Sequence, residues 1–320
     1  MYPIVKKREL NPTVTLMEVS APFVAKKAEP GQFIILRVDE AGERIPLTVA
    51  DFDREKGTVT IIFQIVGGTT ERLNHLNEGD GIHDFVGPLG EPSHTEGLKK
   101  VAVIGGGVGC AIAYPVAKAL HAAGAHVDMI AGFRSKDIVI LEEEMAAVSS
   151  AIAYPVAKKL HGQGAEVHSV VGFRNKDLVI LEEEFRAVSD VYKLMTDDGS
   201  KGEKGLVTDA LKALIEAGNA YDEVIAIGPV VMMKFVSLLT KQYGIKTVVS
   251  MNPIMIDGTG MCGCCRLSVG GKMKFACVDG PDFDGHEVDY DEILKRASTY
   301  KEFEAREREA ACNLFKKEVK

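Results

Sequence analysis

The chain has 320 residues, 46% of them hydrophobic, and a net charge of −8. That length and apolar content suffice for two or three domains with separate cores, while the acidic balance argues against a nucleic-acid partner, which needs a basic surface. No apolar run approaches the roughly 20 residues that span a bilayer and the N-terminal MYPIVKKREL lacks the apolar stretch of a signal peptide, so a cytoplasmic protein without a membrane partner is expected.

Residues 1–98 read as short strands broken by turns, the pattern of a small antiparallel β-barrel. TVTLMEV, QFIILRV, RIPLTVADF and TVTIIFQIV are β-branched runs parted by Pro30-Gly31, Ala41-Gly42 and Lys56-Gly57. Arg44-Ile45-Pro46-Leu47-Thr48 sets a fixed cation and a hydroxyl beside a rigid proline, which suits a phosphate and a flat ring. Gly67-Gly68-Thr69-Thr70 then opens a short helix through Leu76, and free amides at a helix N-terminus attract anions. Taken singly, such motifs are more often a surface arginine and an ordinary N-cap than a binding site.

Residues 99–253 change character toward an α/β domain with a doubly wound parallel sheet. An apolar strand from Lys100 to Ile104 runs into Gly105-Gly106-Gly107-Val108-Gly109-Cys110 and then an apolar helix to about Ala123. Strand, glycine turn and helix is the geometry that brings backbone amides against a pyrophosphate. The pattern is GGGxG rather than GxGxxG, and no acidic residue closes the next strand at Ala131-Gly132, so a tight packing turn is the other reading. Val224 to Ile227 forms a second buried strand, followed by Gly228-Pro229 and an apolar helix, and the carboxyl ends of parallel strands are where such sheets bind ligands.

Inside this domain residues 111–150 recur as 151–190, with 27 of 40 positions identical. A single duplication explains this better than a solenoid, which needs at least three stacked units. Each copy reads as helix, strand near Val127 or Val167, then an acidic-started helix after Lys136 or Lys176; Pro115 and Pro155 are expected in first helical turns. Only the first copy follows the glycine turn. The second follows Val148-Ser149-Ser150, which can cap a helix but cannot give a backbone the close approach that glycines allow. One nucleotide site is therefore expected, with Arg134 and Ser135 as candidates for the adenosine ribose or its phosphate; Arg174 and Asn175 compete for that place or make a second site.

Residues 254–285 carry the most specific signal. Asp257, Cys262, Cys265 and Cys277 follow D-x4-C-x2-C and a more distant cysteine, the spacing of a plant-type [2Fe-2S] loop with aspartate for the first thiolate. Glycines crowd the same stretch, as they must where amides fold closely around an inorganic core. Three thiols and a carboxylate also suit zinc. Cys264 should point away if the x2 spacing operates. With four of the six cysteines gathered here, metal ligation is expected over disulfides. Residues 286–320 read as an exposed, charge-rich helical segment with Leu294, Tyr300 and Phe303 as a narrow apolar stripe, able to pack on this chain or a partner.

Taken in order, these motifs resemble the ferredoxin-NADP+ reductase superfamily, in the branch with a C-terminal [2Fe-2S] loop. That branch includes the electron-transfer subunits of dihydroorotate dehydrogenase and the small subunits of NADH-dependent reduced ferredoxin:NADP+ oxidoreductase, also called sulfide dehydrogenase. Asp257 and the runs AIGPVVMMKFV, MNPIMIDGTGMCG and CVDGPDFDGHEVD resemble the second group more. The resemblance implies that Arg44, Pro46, Leu47 and Thr48 contact FAD, with Gly68, Thr69 and Thr70 at its pyrophosphate. It places Gly105, Gly106, Gly107 and Gly109 at the phosphates of NAD(H) or NADP(H), and Gly228 and Pro229 at the nicotinamide. It implies a [2Fe-2S] cluster on Asp257, Cys262, Cys265 and Cys277, and chemistry carried by the cofactors rather than by catalytic side chains. The implied partner is a larger subunit with FAD and [4Fe-4S] clusters, with ferredoxin reached indirectly. Alternatives are a diaphorase serving dihydroorotate dehydrogenase, a hydrogenase or polysulfide reduction, or a metal-binding scaffold whose nucleotide domain the duplication has disabled.

Overall fold

The β-branched runs of the N-terminal segment form an antiparallel sheet. The computed structural model describes residues 1–106, 109–132, 168–173, 191–196, 203–204 and 206–298. Its first strands are β1 (Tyr2–Asn11), β2 (Val14–Ser20), β3 (Phe33–Arg37), β4 (Arg44–Asp53), β5 (Thr58–Gln64), β6 (Gly81–Ile82) and β7 (Asp84–Leu89), with α1 (Pro22–Ala25) and α2 (Gly68–His75) between them. They lie in the order β6-β1-β2-β5-β4-β3-β7. The two edge strands, β6 and β7, are parted in the chain by His83 alone, so the sheet curls until its edges approach each other. Met17, Val19, Ile34, Leu36, Ile61 and Phe63 fill the inside of the curl, and Ile45 and Leu47 pack against them. In β3 the alternate residues Phe33 and Ile35 are also buried, at 3% and 1% exposure, so this strand is covered on both faces.

A second unit comprises His94–Ser250 together with Asp284–His286. It contains β8 (Lys100–Gly106), α3 (Cys110–Ala122), β9 (His126–Gly132), β10 (His168–Phe173), β11 (Val191–Thr196), β12 (Glu203–Lys204), α4 (Val207–Glu216), β13 (Glu223–Ile227), α5 (Val230–Gln242) and β14 (Thr247–Ser250). Strands β14, β13, β8 and β9 are neighbours in that order and all parallel. Val101 to Ile104 and Val224 to Ile227 are buried without alternation, as expected for central parallel strands covered on both faces. Pro115 lies inside α3 rather than in its first turn. The helix begins at Cys110, earlier than the repeat pattern suggests, so the missing amide falls where an intrahelical bond would form.

The duplicated segment meets two different neighbours. The strand of the first copy, β9, pairs with β8 and sets Gly132 opposite Gly106. The corresponding strand of the second copy, β10, pairs with β11 in a separate parallel sheet, β10-β11-β12. Arg134, Ser135, Arg174, Asn175 and the helices expected after Lys136 and Lys176 lie outside the described residues, as do Tyr300 and Phe303.

Met251–Phe283 and the chain from Glu287 belong to the same unit as the curled sheet. Here follow β15 (Arg266–Val269), β16 (Lys272–Phe275), α6 (Ala276–Asp279), β17 (Asp282–Asp284) and α7 (Tyr290–Ala297). The segment is tied to the sheet's last strand and its sequel: Glu91 N donates to Gly280 O at 2.6 Å, and the Ser93 hydroxyl donates to the Asp282 carboxylate. Asp289 caps α7 by accepting from the amides of Asp291 and Glu292, and the helix buries Tyr290 and Ile293. Among the described residues no helix is long and apolar enough to cross a membrane.

Candidate metal centre and cofactor surfaces

A tight hairpin explains how cysteines distant in sequence meet. Gly270 and Gly271, with φ of 58° and 71°, occupy the two central turn positions between β15 and β16, where positive φ at both matches the strand twist. Arg266 then lies opposite Phe275, so Cys265, just before the hairpin, and Cys277, just after it, come together. Their sulfurs are 3.2 Å apart and both residues are buried. Two thiolates sharing one tetrahedral metal at ~2.3 Å each would stand roughly 3.7 Å apart, a small adjustment. Burial, and next the neighbouring Cys265 thiol, push the Cys277 thiol up to about 12, while the backbone of Gly260 works the other way. Without metal the Cys277 thiol is protonated at neutral pH, and ligation there must displace the proton.

Asp257 and Cys262 belong to the same loop but are turned differently. The Asp257 carboxylate accepts from Thr259 N and Cys262 N, both at 2.9 Å. These amides, that of Thr259 foremost, hold its pKa below the ordinary carboxylate range. Cys262 is exposed, and Cys264 directs its thiol toward the Cys262 carbonyl, 3.9 Å away. Among the described residues no three His, Cys, Asp or Glu side chains converge on one point as they stand. The donor set nevertheless fits an iron-sulfur cluster: two buried sulfurs meet, and a third thiol and a carboxylate share their loop.

The loop lies against the face of the curled sheet opposite its core. A Cβ on Gly258, whose φ is +77°, would fall 2.6 Å from Leu89 Cδ1 and 2.9 Å from Ile35 Cδ1. Ile35 is directly opposite Pro46 in the ladder, about 5 Å away between Cα atoms. Arg44, Pro46 and Thr48 alternate onto this same face of β4, whereas Leu47 packs with Ile45 toward the core. Sequence reasoning did not single out Ile35 or Leu89, although the unalternating run Phe33-Ile34-Ile35-Leu36 signals a strand covered on both sides.

At α2 the Thr70 hydroxyl accepts from Val66 N and Gly67 N, each at 3.0 Å, and so is engaged within its own loop. The Thr69 hydroxyl donates to Glu43 at 3.2 Å. What remains at this end of the helix for an anion is backbone N–H of the first turn. In the second unit, Gly105 and Gly106 end β8 and Gly107 lies outside the described residues. Gly109 caps α3, and a Cβ there would fall 2.6 Å from the Ile227 carbonyl oxygen and 2.9 Å from Gly228 Cα. Its bare backbone therefore lets the start of α3 meet the Ile227-Gly228 peptide, while Pro229 caps α5. The glycine turn and the Gly228-Pro229 corner, far apart in sequence, are neighbours.

Comparison with known proteins finds similarity along nearly the whole chain. Residues 252–289 match the family described as the iron-sulfur cluster binding domain of dihydroorotate dehydrogenase B. A Thermotoga maritima protein, a homolog of the electron transfer subunit of dihydroorotate dehydrogenase B (NAD(+)), is 44% identical over 94% of this chain and 92% of its own. An uncharacterized Clostridium beijerinckii protein from the adh 3' region is 49% identical over 94% and 91%. A chain from the solved structure of NADH-dependent reduced ferredoxin-NADP oxidoreductase, studied for flavin-based electron bifurcation, is 42% identical over 97% of both chains, with a TM-score of 0.72. The cytochrome b5 reductase domain of Ulva prolifera nitrate reductase, at 16% identity and TM-score 0.53, shares the fold.

Proposed function

This chain belongs to the family of dihydroorotate dehydrogenase B electron-transfer subunits and their relatives in NADH-dependent reduced ferredoxin-NADP oxidoreductase, and we propose that it works as an NAD(H)-linked flavin and iron-sulfur electron-transfer subunit. When bound, FAD supplies hydride exchange and a [2Fe-2S] cluster supplies one-electron transfer; the chain supplies position and potential. The carrying observation is the meeting of two buried sulfurs in a loop laid over Ile35, one strand from Pro46.

In this reading Asp257, Cys262, Cys265 and Cys277 hold the cluster, with Asp257 and Cys262 swinging inward from their present partners. Arg44, Pro46 and Thr48 face the flavin, Leu47 contributes its backbone, and the amides of Gly68, Thr69 and Thr70 take the pyrophosphate. Gly105, Gly106, Gly107 and Gly109 accept the nicotinamide dinucleotide phosphates, Gly228 and Pro229 line the nicotinamide, and Arg134 reaches the adenosine end. The close approach allowed at Gly109 supports one such site, formed beside the first copy of the duplication. NADH is the expected donor, and the electrons leave to a larger partner flavoprotein carrying FAD and [4Fe-4S] clusters. Asp257, at the position of a ligand, favours the ferredoxin-NADP oxidoreductase type of partner over dihydroorotate dehydrogenase.

Visible and EPR spectra before and after NADH test the proposal. A yellow-brown protein that NADH bleaches, giving a rhombic signal on reduction, is the expected result. A colourless protein loaded with zinc, or one whose colour NADH leaves unchanged, overturns it in favour of a metal-binding scaffold.

A further inference from the structure

The spacer between Cys262 and Cys265 is gripped from outside by two guanidinium groups. Arg266 Nη1 donates to the Gly263 carbonyl at 3.0 Å, and Arg296 Nη2 donates to the Cys264 carbonyl at 2.8 Å. Because peptide planes are rigid and trans, carbonyls drawn toward the arginines turn the amides of Cys264 and Cys265 the opposite way. Arg296 comes from α7, which reaches the loop because it is docked on the hairpin. Asp289 N donates to Ser268 O at 2.9 Å, Ser268 N donates to Glu292 Oε2 at 3.0 Å, and Tyr290 and Ile293 are buried beneath. Arg296 is only 30% exposed, with Glu292 Oε1 4.0 Å from its Nη1, whereas Arg266 is exposed to solvent.

Building on the iron-sulfur reading above, we propose that Arg296 is a positioning residue that orients the Cys262–Cys265 spacer and raises the reduction potential of the cluster held there, with Arg266 as a weaker second. One-electron reduction adds a unit of negative charge to the cluster. A guanidinium is protonated at every accessible pH, and held beside the spacer it favours the reduced form over the oxidised one. Partial burial protects that influence from screening, which is why Arg296 outweighs Arg266. Glu292 supplies the opposing charge and holds the amide of Ser268, so it moderates the same potential.

An EPR-monitored redox titration of the purified, cluster-loaded full chain tests this. Arg296→Gln keeps an amide donor and removes the charge. At the parent's midpoint its oxidised-to-reduced ratio is expected to rise about threefold to tenfold, tenfold being roughly 59 mV for a one-electron couple. Arg296→Lys, which keeps the charge, stays within about twofold of the parent, and Glu292→Gln shifts the ratio the other way. Midpoints that stay put in both Arg296→Gln and Glu292→Gln overturn the proposal. If Arg296→Gln assembles no cluster, Glu292→Gln decides alone, and an unshifted midpoint there overturns it. A parent protein with neither iron nor signal overturns the iron-sulfur reading itself, so the two failures are distinct.

Discussion

The cysteine loop and the parallel sheet of the second unit reach their geometry by opposite routes. In the loop, a glycine turn joining two four-residue strands brings Cys265 and Cys277 to 3.2 Å through contacts that are close in sequence. In the sheet, β8 lies between β9 and β13, and glycine is required at position 109 because the Ile227-Gly228 peptide arrives against it from more than a hundred residues away. The difference teaches where each part is fragile. Local geometry tolerates a lengthened chain elsewhere, whereas a sheet built from distant strands can have its neighbours reassigned by a duplication.

The comparison breaks most sharply at the cysteines. Cys265→Ser or Cys277→Ser is expected to abolish iron content and the cluster's absorption while flavin binding persists, because the curled sheet proposed to hold the flavin needs neither sulfur. Loss of flavin together with iron would mean the loop is not a separable local unit. The next largest effect belongs to the sheet. Gly109→Ala forces a methyl against backbone atoms that cannot move aside, at a cost of about 1–3 kcal/mol, or about tenfold per 1.4 kcal/mol in NADH-dependent reduction at low NADH. The cluster spectrum should not change. A variant that binds NADH normally would show that the turn serves packing alone.

An effect of similar size, on stability alone, concerns the foot of the sheet, away from the glycine turn. Asp128 accepts from the Tyr221 hydroxyl at 3.0 Å and stands 3.0 Å from His126 Nε2 and 3.8 Å from Lys100. Burial opposes its charge, yet His126, then Tyr221 and Lys100, hold the carboxyl below its ordinary value. A depressed pKa stabilises the fold above the unfolded carboxyl's value, about 3.9, and that contribution fades as pH falls through the folded value. Asp128→Asn should therefore cost about 1–3 kcal/mol at pH 7, read as a lower thermal midpoint, with the gap to the parent closing below about pH 4. A gap that persists unchanged in acid would assign the loss to packing.

The smallest expected effect is also the sharpest test of the duplication. Deleting residues 151–190 joins the first copy directly to β11, so β9 is free to take the pairing that β10 now makes. NADH-dependent reduction should stay within about threefold and the thermal midpoint should hold or rise by a few degrees. Lost nucleotide binding would show that the two copies occupy distinct and necessary places.

Much of this was legible in residue order. Strands β2 to β5 follow the β-branched runs, α2 begins at the expected glycines, and the spacing of Cys262, Cys265 and Cys277 marked the loop. Strand β1 was not legible, because among its residues of described burial Ile4 alone is fully buried and Lys6, Lys7, Arg8 and Glu9 break the apolar signal. The grouping of residues 251–283 with the N-terminal sheet was also hidden, since a Gly258 close to Ile35 and Leu89 is a contact between distant segments. Arg296 gave no signal at all; it sits in an ordinary charged helix, and its partner is a backbone carbonyl.

Residue order alone determined the chemistry on offer: thiols and a carboxylate at ligand spacing, glycines where a backbone must come close, and an arginine beside a proline on a strand. These are properties of short segments, where a few bonds limit what can meet. Only the tertiary structure decided which strand each copy would join and which face of β3 the loop would cover. Strand pairing is made by backbone groups that every residue carries, so two copies alike at 27 of 40 positions offer the same edge, and the surrounding chain chooses between them.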